Sequence, residues 1–142
     1  MLVLDLPPDE AAQNAELKPA PDLRHIQLIA PTSPADRIAS IAKSAEGFVY
    51  YVSRLGVTGA QAEIATGIAE QVAVIKAATE VPVCVGFGVS NPSQAAEIAS
   101  KADGVVVGSA IVKLIEQNGT SPDCAAKVEA FVKPLVDAVH AL

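Results

Sequence analysis

The chain has no tryptophan, one methionine and two cysteines in 142 residues, and aromatic side chains make up only 4%. Cys84 and Cys124 are too few for a disulfide framework and lack metal-ligand spacing, so both read as ordinary buried or surface thiols and no metal is expected. The two histidines, His25 and His140, have no carboxylate or nucleophile at a suggestive spacing. Nothing therefore supports a Ser/His/Asp triad. No apolar run approaches the roughly 20 residues needed to span a bilayer, and no basic region precedes a small-residue cleavage site, so a cytoplasmic location is expected. Cationic side chains are scarce too. Ten Lys and Arg face sixteen Asp and Glu, giving a net charge of −6. The cations are scattered along the chain and form no stripe, which argues against nucleic acid as a partner.

What remains is a chain that is 51% hydrophobic and 18% charged, without a low-complexity tract, as expected for one compact domain over residues 1–142. Short apolar runs alternate with helical patterns, the signature of βαβ units on a parallel sheet. The spacing predicts strands over 2–6, 26–30, 48–52, 83–87 and 105–107. Their β-branched runs are apolar on both faces, as a parallel strand covered on both sides requires. Helices are predicted over 9–17, 34–44, 65–79, 92–100, 110–117 and 122–141. Ser33-Pro34, Asn91-Pro92 and Ser121-Pro122 each read as a capping side chain ahead of a proline at the first helical position, where the missing N–H costs nothing. Pro134 falls inside the last pattern and predicts a kink or a split. The turn at 18–22, rich in proline, reads as helix termination.

Three strand ends in succession run directly into glycine. Phe48-Val49-Tyr50-Tyr51-Val52-Ser53-Arg54-Leu55-Gly56-Val57-Thr58-Gly59 passes from an apolar strand to a polar loop with almost no transition. Val83-Cys84-Val85-Gly86-Phe87-Gly88 and Val105-Val106-Val107-Gly108-Ser109-Ala110 follow the same plan. Glycine lets the backbone approach phosphate oxygens closely and reaches positive φ without a steric penalty. Gly108-Ser109-Ala110 also fits a helix start, where unpaired N–H groups and the positive end of the helix dipole converge on an anion and the Ser109 hydroxyl adds a donor. Gly59, Gly88, Gly108 and Ser109 are therefore the candidate phosphate contacts, although glycine also serves ordinary turns. No lysine or arginine is required at these contacts, so main-chain dipoles would neutralise the anion. Tyr50 and Phe87 stand where a planar apolar ligand could lie, or form barrel-mouth core. Thr58 either contacts the ligand or hydrogen-bonds its own turn. Asp5 ends the first predicted strand and either accepts turn hydrogen bonds or reaches the mouth.

The order of these segments, with Leu4-Asp5-Leu6-Pro7-Pro8, Ala30-Pro31-Thr32-Ser33-Pro34-Ala35-Asp36-Arg37-Ile38 and Gly108-Ser109-Ala110-Ile111-Val112-Lys113, resembles the α subunit of tryptophan synthase. That family is a (β/α)8 barrel of the TIM type that cleaves indole-3-glycerol phosphate into indole and glyceraldehyde 3-phosphate. A barrel of this kind typically needs about 250 residues. The resemblance therefore implies an α/β fold with only the C-terminal part of the barrel present, about strands 4 to 8, the chain beginning where a fourth strand should. It implies a phosphate pocket from Gly59, Phe87, Gly88, Gly108 and Ser109. Ile29 and Tyr50 would form indole-pocket walls, Thr58 would belong to a lid, and Asp5 would couple to a partner. The implied partner is the β subunit, which carries pyridoxal phosphate; no cofactor is expected here. The family's essential glutamate and its aspartate partner belong to the second strand and the loop after it, and neither position lies in these residues. The isolated chain is thus expected to be a lyase by family yet inactive alone, and either to self-associate through open barrel edges or to represent only part of a larger protein. Two other classes compete: a different phosphate-binding barrel, such as a sugar-phosphate isomerase or epimerase, and a non-catalytic half-barrel assembly module.

Overall fold

Val49, Tyr51, Val83 and Val85 alternate with less apolar or smaller neighbours, and this period of two sets which side chains leave the sheet on the same face. In a computed structural model, which describes residues 1–3, 6–13, 20, 22–53, 61–86 and 88–142, these runs become strands of one parallel sheet. The strands are β1 (Gln27–Ile29), β2 (Val49–Val52), β3 (Val83–Gly86) and β4 (Gly104–Val105), lying side by side in chain order. Tyr50 pairs with Leu28 on one side and Cys84 on the other, while Tyr51 pairs with Ile29 and Val85. Cys84 and Val85 in turn pair with Gly104 and Val105.

Helices α1 (Pro8–Gln13), α2 (Ala35–Ser44), α3 (Gln61–Lys76), α4 (Pro92–Ala99), α5 (Ser109–Asn118) and α6 (Cys124–His140) complete the described elements. Four helices, α2, α3, α4 and α6, contribute buried side chains to the core. Ile38 and Ile41 of α2, Ile68, Val72 and Ile75 of α3, Ala95 and Ile98 of α4 and Leu135 of α6 bury against Ile29, Val49, Tyr51, Val83 and Val85. The spacings of three and four residues are those of one helix face. At about 1.5–3 kcal/mol for each large apolar side chain fully removed from water, this cluster is the main source of stability. In α6, Phe131 and Val139 flank Leu135 at four-residue steps, and the helix packs chiefly on α4.

Several expectations need correction. Only Asn91 caps its helix as read: its Oδ1 accepts from Gln94 N at 3.0 Å, while Gln94 Oε1 accepts from Ser90 N at 2.9 Å. Ser33 instead turns back to accept from Ala30 N at 3.3 Å, closing the β1–α2 turn, and Pro34 occupies the cap position of a helix that starts at Ala35. Ser121 donates to the Asp123 carboxylate, and α6 starts only at Cys124. Asp123, at φ −97° and ψ 10°, lacks the extended backbone that a capping side chain needs. The helix is not split at Pro134, and α6 runs through it. Pro134 and Ala130, whose carbonyl loses its helical partner, are both exposed, so water can satisfy that carbonyl. The first predicted strand contributes a single parallel bridge, Leu2 with Ile26. Leu4 and Asp5 lie outside the described residues, as do 14–17 of the first predicted helix. The last strand ends at Val105, although Val106 N still donates to Val85 O at 2.9 Å. Among the described residues no helix is long and apolar enough to cross a membrane.

Candidate functional site

The C-terminal ends of β3 and β4 lie side by side because Val85 and Val105 are register partners, so the loops that follow leave the sheet as neighbours. The close approach depends on Gly86. A Cβ there would lie 2.8 Å from the Val106 Cβ and closer still to the Val106 carbonyl oxygen, so any side chain would push the two strand ends apart. Tyr50 adds a tie across the sheet, its hydroxyl donating to Gly86 O at 3.3 Å. Burial raises the Tyr50 hydroxyl above its ordinary pKa.

Beyond this tie the backbone opens. Gly88 has φ +72°, the left-handed region that L side chains rarely adopt. At both Gly88 and Gly108, chain neighbours aside, the space a Cβ would enter holds no atom of the described residues within 4 Å. Gly108 is the N-cap of the ten-residue α5, and its carbonyl accepts from Ile111 N at 2.9 Å and Val112 N at 3.1 Å. Those bonds engage the residues after the first turn. The Ser109 and Ala110 amides, being first-turn donors, have no partner within the helix. The segments 88–91 and 106–109 contain no charged side chain, so the positive potential there comes from main-chain dipoles.

The expected site residues divide. Gly88 follows the end of β3, Gly108 and Ser109 follow the end of β4, and all three are exposed, while Tyr50 reaches the end of β3 through Gly86. Gly59, Phe87, Thr58 and Asp5 lie outside the described residues. Ile29 must be withdrawn as a wall beside Tyr50: it is fully buried in the helix-facing core, because alternation puts it with Tyr51. Leu28, half-buried and paired with Tyr50, shares that face instead. One residue was missed. Ser53, directly after β2, is buried, and its hydroxyl has no hydrogen-bond partner among the described residues. A serine continuing the Val49, Tyr51 alternation was the available signal.

Titratable groups are held elsewhere. Asp103 lies at the opposite end of β4, where it accepts from Lys76 Nζ at 2.6 Å and from Val83 N at 2.9 Å, and these bonds hold its carboxyl below the usual carboxylate range. The Cys84 thiol is pushed up by burial and, secondarily, by the Asp103 charge. Among the described residues no group of three His, Cys, Asp or Glu could hold a metal ion. Two clefts, of about 430 and 300 Å³, flank the sheet and do not include the glycine loops.

A family model described as "Tryptophan synthase alpha chain" matches residues 1–140. The chain belongs to the tryptophan synthase alpha chain family. Relatives of that name include one from Opitutus terrae, 50% identical over 137 residues, covering 96% of this chain and 52% of the relative. One from Geobacter sulfurreducens is 48% identical over 139 residues, covering 98% and 52%. The chain thus spans about half the length of the curated relatives it matches. Among solved structures, tryptophan synthase subunit alpha from Legionella pneumophila superposes with a TM-score of 0.80 at 31% identity, covering 99% of this chain and 52% of that one. A chain from the tryptophan synthase α2β2 complex of Pyrococcus furiosus superposes with a TM-score of 0.78 at 34% identity, covering 96% and 54%. The four-stranded parallel sheet with its helices is accordingly a partial TIM-type barrel of the tryptophan synthase alpha kind. Membership in this family does not favour a sugar-phosphate isomerase or epimerase.

Proposed function

We propose that residues 1–142 form one partial (β/α) barrel domain that supplies the phosphate-binding half of a carbon–carbon lyase site for indole-3-glycerol phosphate, within tryptophan biosynthesis in the cytoplasm. The observation that carries this is the pair of neighbouring strand ends at which Gly88 and Gly108 leave open space before the donor end of α5. A phosphate seated there meets the Ser109 and Ala110 amides and the Ser109 hydroxyl. Gly59 and Phe87 are assigned to the same pocket, Tyr50 to the indole wall, Thr58 to a lid and Asp5 to coupling with a partner, all on the family resemblance.

The cleavage is a retro-aldol reaction that requires proton transfers at the indole ring and at the adjacent glycerol hydroxyl, which are tasks for carboxylates. The carboxylates that the resemblance assigns to those tasks are not among these residues. The chain's own contribution is to bind and orient the phosphate end, and such remote binding lowers a barrier only when the reacting groups are in place. The polypeptide of these 142 residues is therefore expected to be inactive alone. A β subunit is the proposed partner, in line with the α2β2 complex named for the Pyrococcus furiosus structure. Self-association through the open edges is the second proposed partnership. Isothermal titration with indole propanol phosphate and with a plain sugar phosphate tests the site. Tighter binding of the indole compound is expected, and equal affinity would remove the indole pocket.

A further inference from the structure

The sequence has three asparagines, and each precedes a different kind of residue: Asn14 stands before alanine, Asn91 before proline and Asn118 before glycine. Only the last pairing favours attack of the next backbone nitrogen on the side-chain amide. Proline has no N–H to give up and the Cβ of alanine crowds ring closure, whereas glycine has neither obstacle. Asn118 is the last residue of α5 and Gly119 is its C-cap, at φ −60° and ψ −25°. Glycine is required there for another reason, since a Cβ on Gly119 would lie 2.9 Å from the Ile115 carbonyl oxygen. Close packing thus fixes the dipeptide most open to this chemistry at the turn between α5 and α6.

The Asn118 side chain is half-buried and bound at both ends. Its Nδ2 donates to Leu114 O at 2.9 Å, and its Oδ1 accepts from Lys127 Nζ, on α6, at 2.8 Å. The Asn118 carbonyl accepts from Ser121 N at 2.8 Å, and Lys127 is steadied by Asp123 Oδ2 at 3.2 Å. These bonds keep Asn118 in the helical well, where ψ is about −42°, whereas closing a five-membered imide ring needs a ψ well outside it. We propose that Asn118-Gly119 is a self-modification site locked by the α5–α6 junction, at which opening of the junction is converted into a permanent covalent mark. Once the lock opens, the Gly119 nitrogen bonds to Asn118 Cγ, its proton passes to the departing Nδ2, and ammonia leaves. Water then opens the imide at either carbonyl, giving aspartate or isoaspartate at position 118. The reaction consumes water alone. Aspartate has no Nδ2 donor for Leu114 O and adds negative charge at the C-terminal end of the α5 dipole, and isoaspartate also lengthens the main chain, so the junction cannot close as before. The proposal is independent of the ligand assigned to the strand ends.

Mass spectrometry of the peptide carrying residue 118 tests the lock, after incubation of the 142-residue polypeptide folded and in urea at one mildly alkaline pH. Amide loss at Asn118 should be roughly tenfold or more slower in the folded chain, as for any group exposed only through local opening. In urea it should outpace loss at Asn14. Equal rates in the folded and unfolded chains would overturn the proposal. Lys127→Met should raise the folded rate several-fold and leave the rate in urea unchanged, with circular dichroism reporting an intact fold; an unaltered folded rate overturns the part given to α6. Should that variant unfold, hydrogen exchange of the native chain decides. Protection of the amides in the last turn of α5 should match the slowing of amide loss, and unprotected amides there would overturn the lock. Asn118→Asp checks the mark itself, since its last α5 turn should exchange faster than the native one, and identical exchange would show that the junction closes regardless.

Discussion

The two ends of the β3–β4 pair are built in opposite ways. At the N-terminal end, Asp103 receives Val83 N and Lys76 Nζ on its carboxylate, while Asp103 N donates to Val83 O at 2.9 Å. Side chain and backbone together close that end. At the C-terminal end, the strands meet over Gly86, and beyond it no described residue apart from chain neighbours occupies the Cβ space of Gly88 or Gly108, while the helix leaves the first donors of α5 unclaimed. Two strands thus carry fastening at one end and spare hydrogen-bonding capacity at the other. Stability and ligand binding are thereby separable by mutation.

The largest effect expected at either end comes from Gly86→Val. The new side chain would collide with the Val106 backbone, and overpacking of this kind costs about 1–3 kcal/mol or more. Urea denaturation should show the loss, and phosphate binding should fall with it, because the two loops separate. Next comes Asp103→Asn, expected to cost about 1–2 kcal/mol through the weakened bonds to Val83 N and Lys76, both partners of the ion pair being partly exposed. Binding of indole propanol phosphate should be unchanged. The variant also has a pH signature. The Asp103 carboxyl titrates lower in the folded chain than in the unfolded one, so its contribution is complete above the unfolded value, about 3.9, and is lost as pH falls toward the folded value. Stability of the native chain should therefore drop more steeply below about pH 4 than that of Asp103→Asn; parallel slopes would detach the clamp from that titration.

Gly108→Leu probes the other end. Its φ is negative, at −122°, and its Cβ enters space free of described side chains, so stability should change by about 1 kcal/mol or less. Calorimetric affinity for the phosphate compound should nevertheless fall about tenfold or more, as the leucine covers the α5 donors, equivalent to about 1.4 kcal/mol. Unaltered affinity would move the anion site elsewhere. The smallest effect is expected from Ser53→Ala. Removing a buried hydroxyl without a partner should be neutral or stabilise by up to about 1 kcal/mol, whereas a loss would reveal a partner for Ser53.

Much of this was legible in the sequence because it is local. The β-branched runs place the strands, and Asn91-Pro92 gives the start of α4. Gly88 and Gly108 could be singled out because a strand that ends on glycine is visible in one line of text. Facing direction was less accessible. Ile29 and Tyr50 look alike as apolar residues near strand ends, and only the register, pairing Ile29 with Tyr51, reveals that they leave the sheet on opposite sides. The serine caps at 33 and 121 failed for a related reason: a short polar side chain before proline has several nearby partners, and Ala30 and Asp123 prevailed. The packing of Val106 on Gly86 joins residues twenty apart, and nothing in either neighbourhood announces it.

With no tryptophan in the chain, ultraviolet emission comes from tyrosine, and its two tyrosines are adjacent yet differently placed. Tyr51 is sealed in the core and Tyr50 is anchored to the last carbonyl of β3. Replacing one at a time with phenylalanine makes two intrinsic optical reporters from consecutive positions. Emission from Tyr51 follows unfolding, and emission from Tyr50 follows occupancy of the strand ends, without any attached dye.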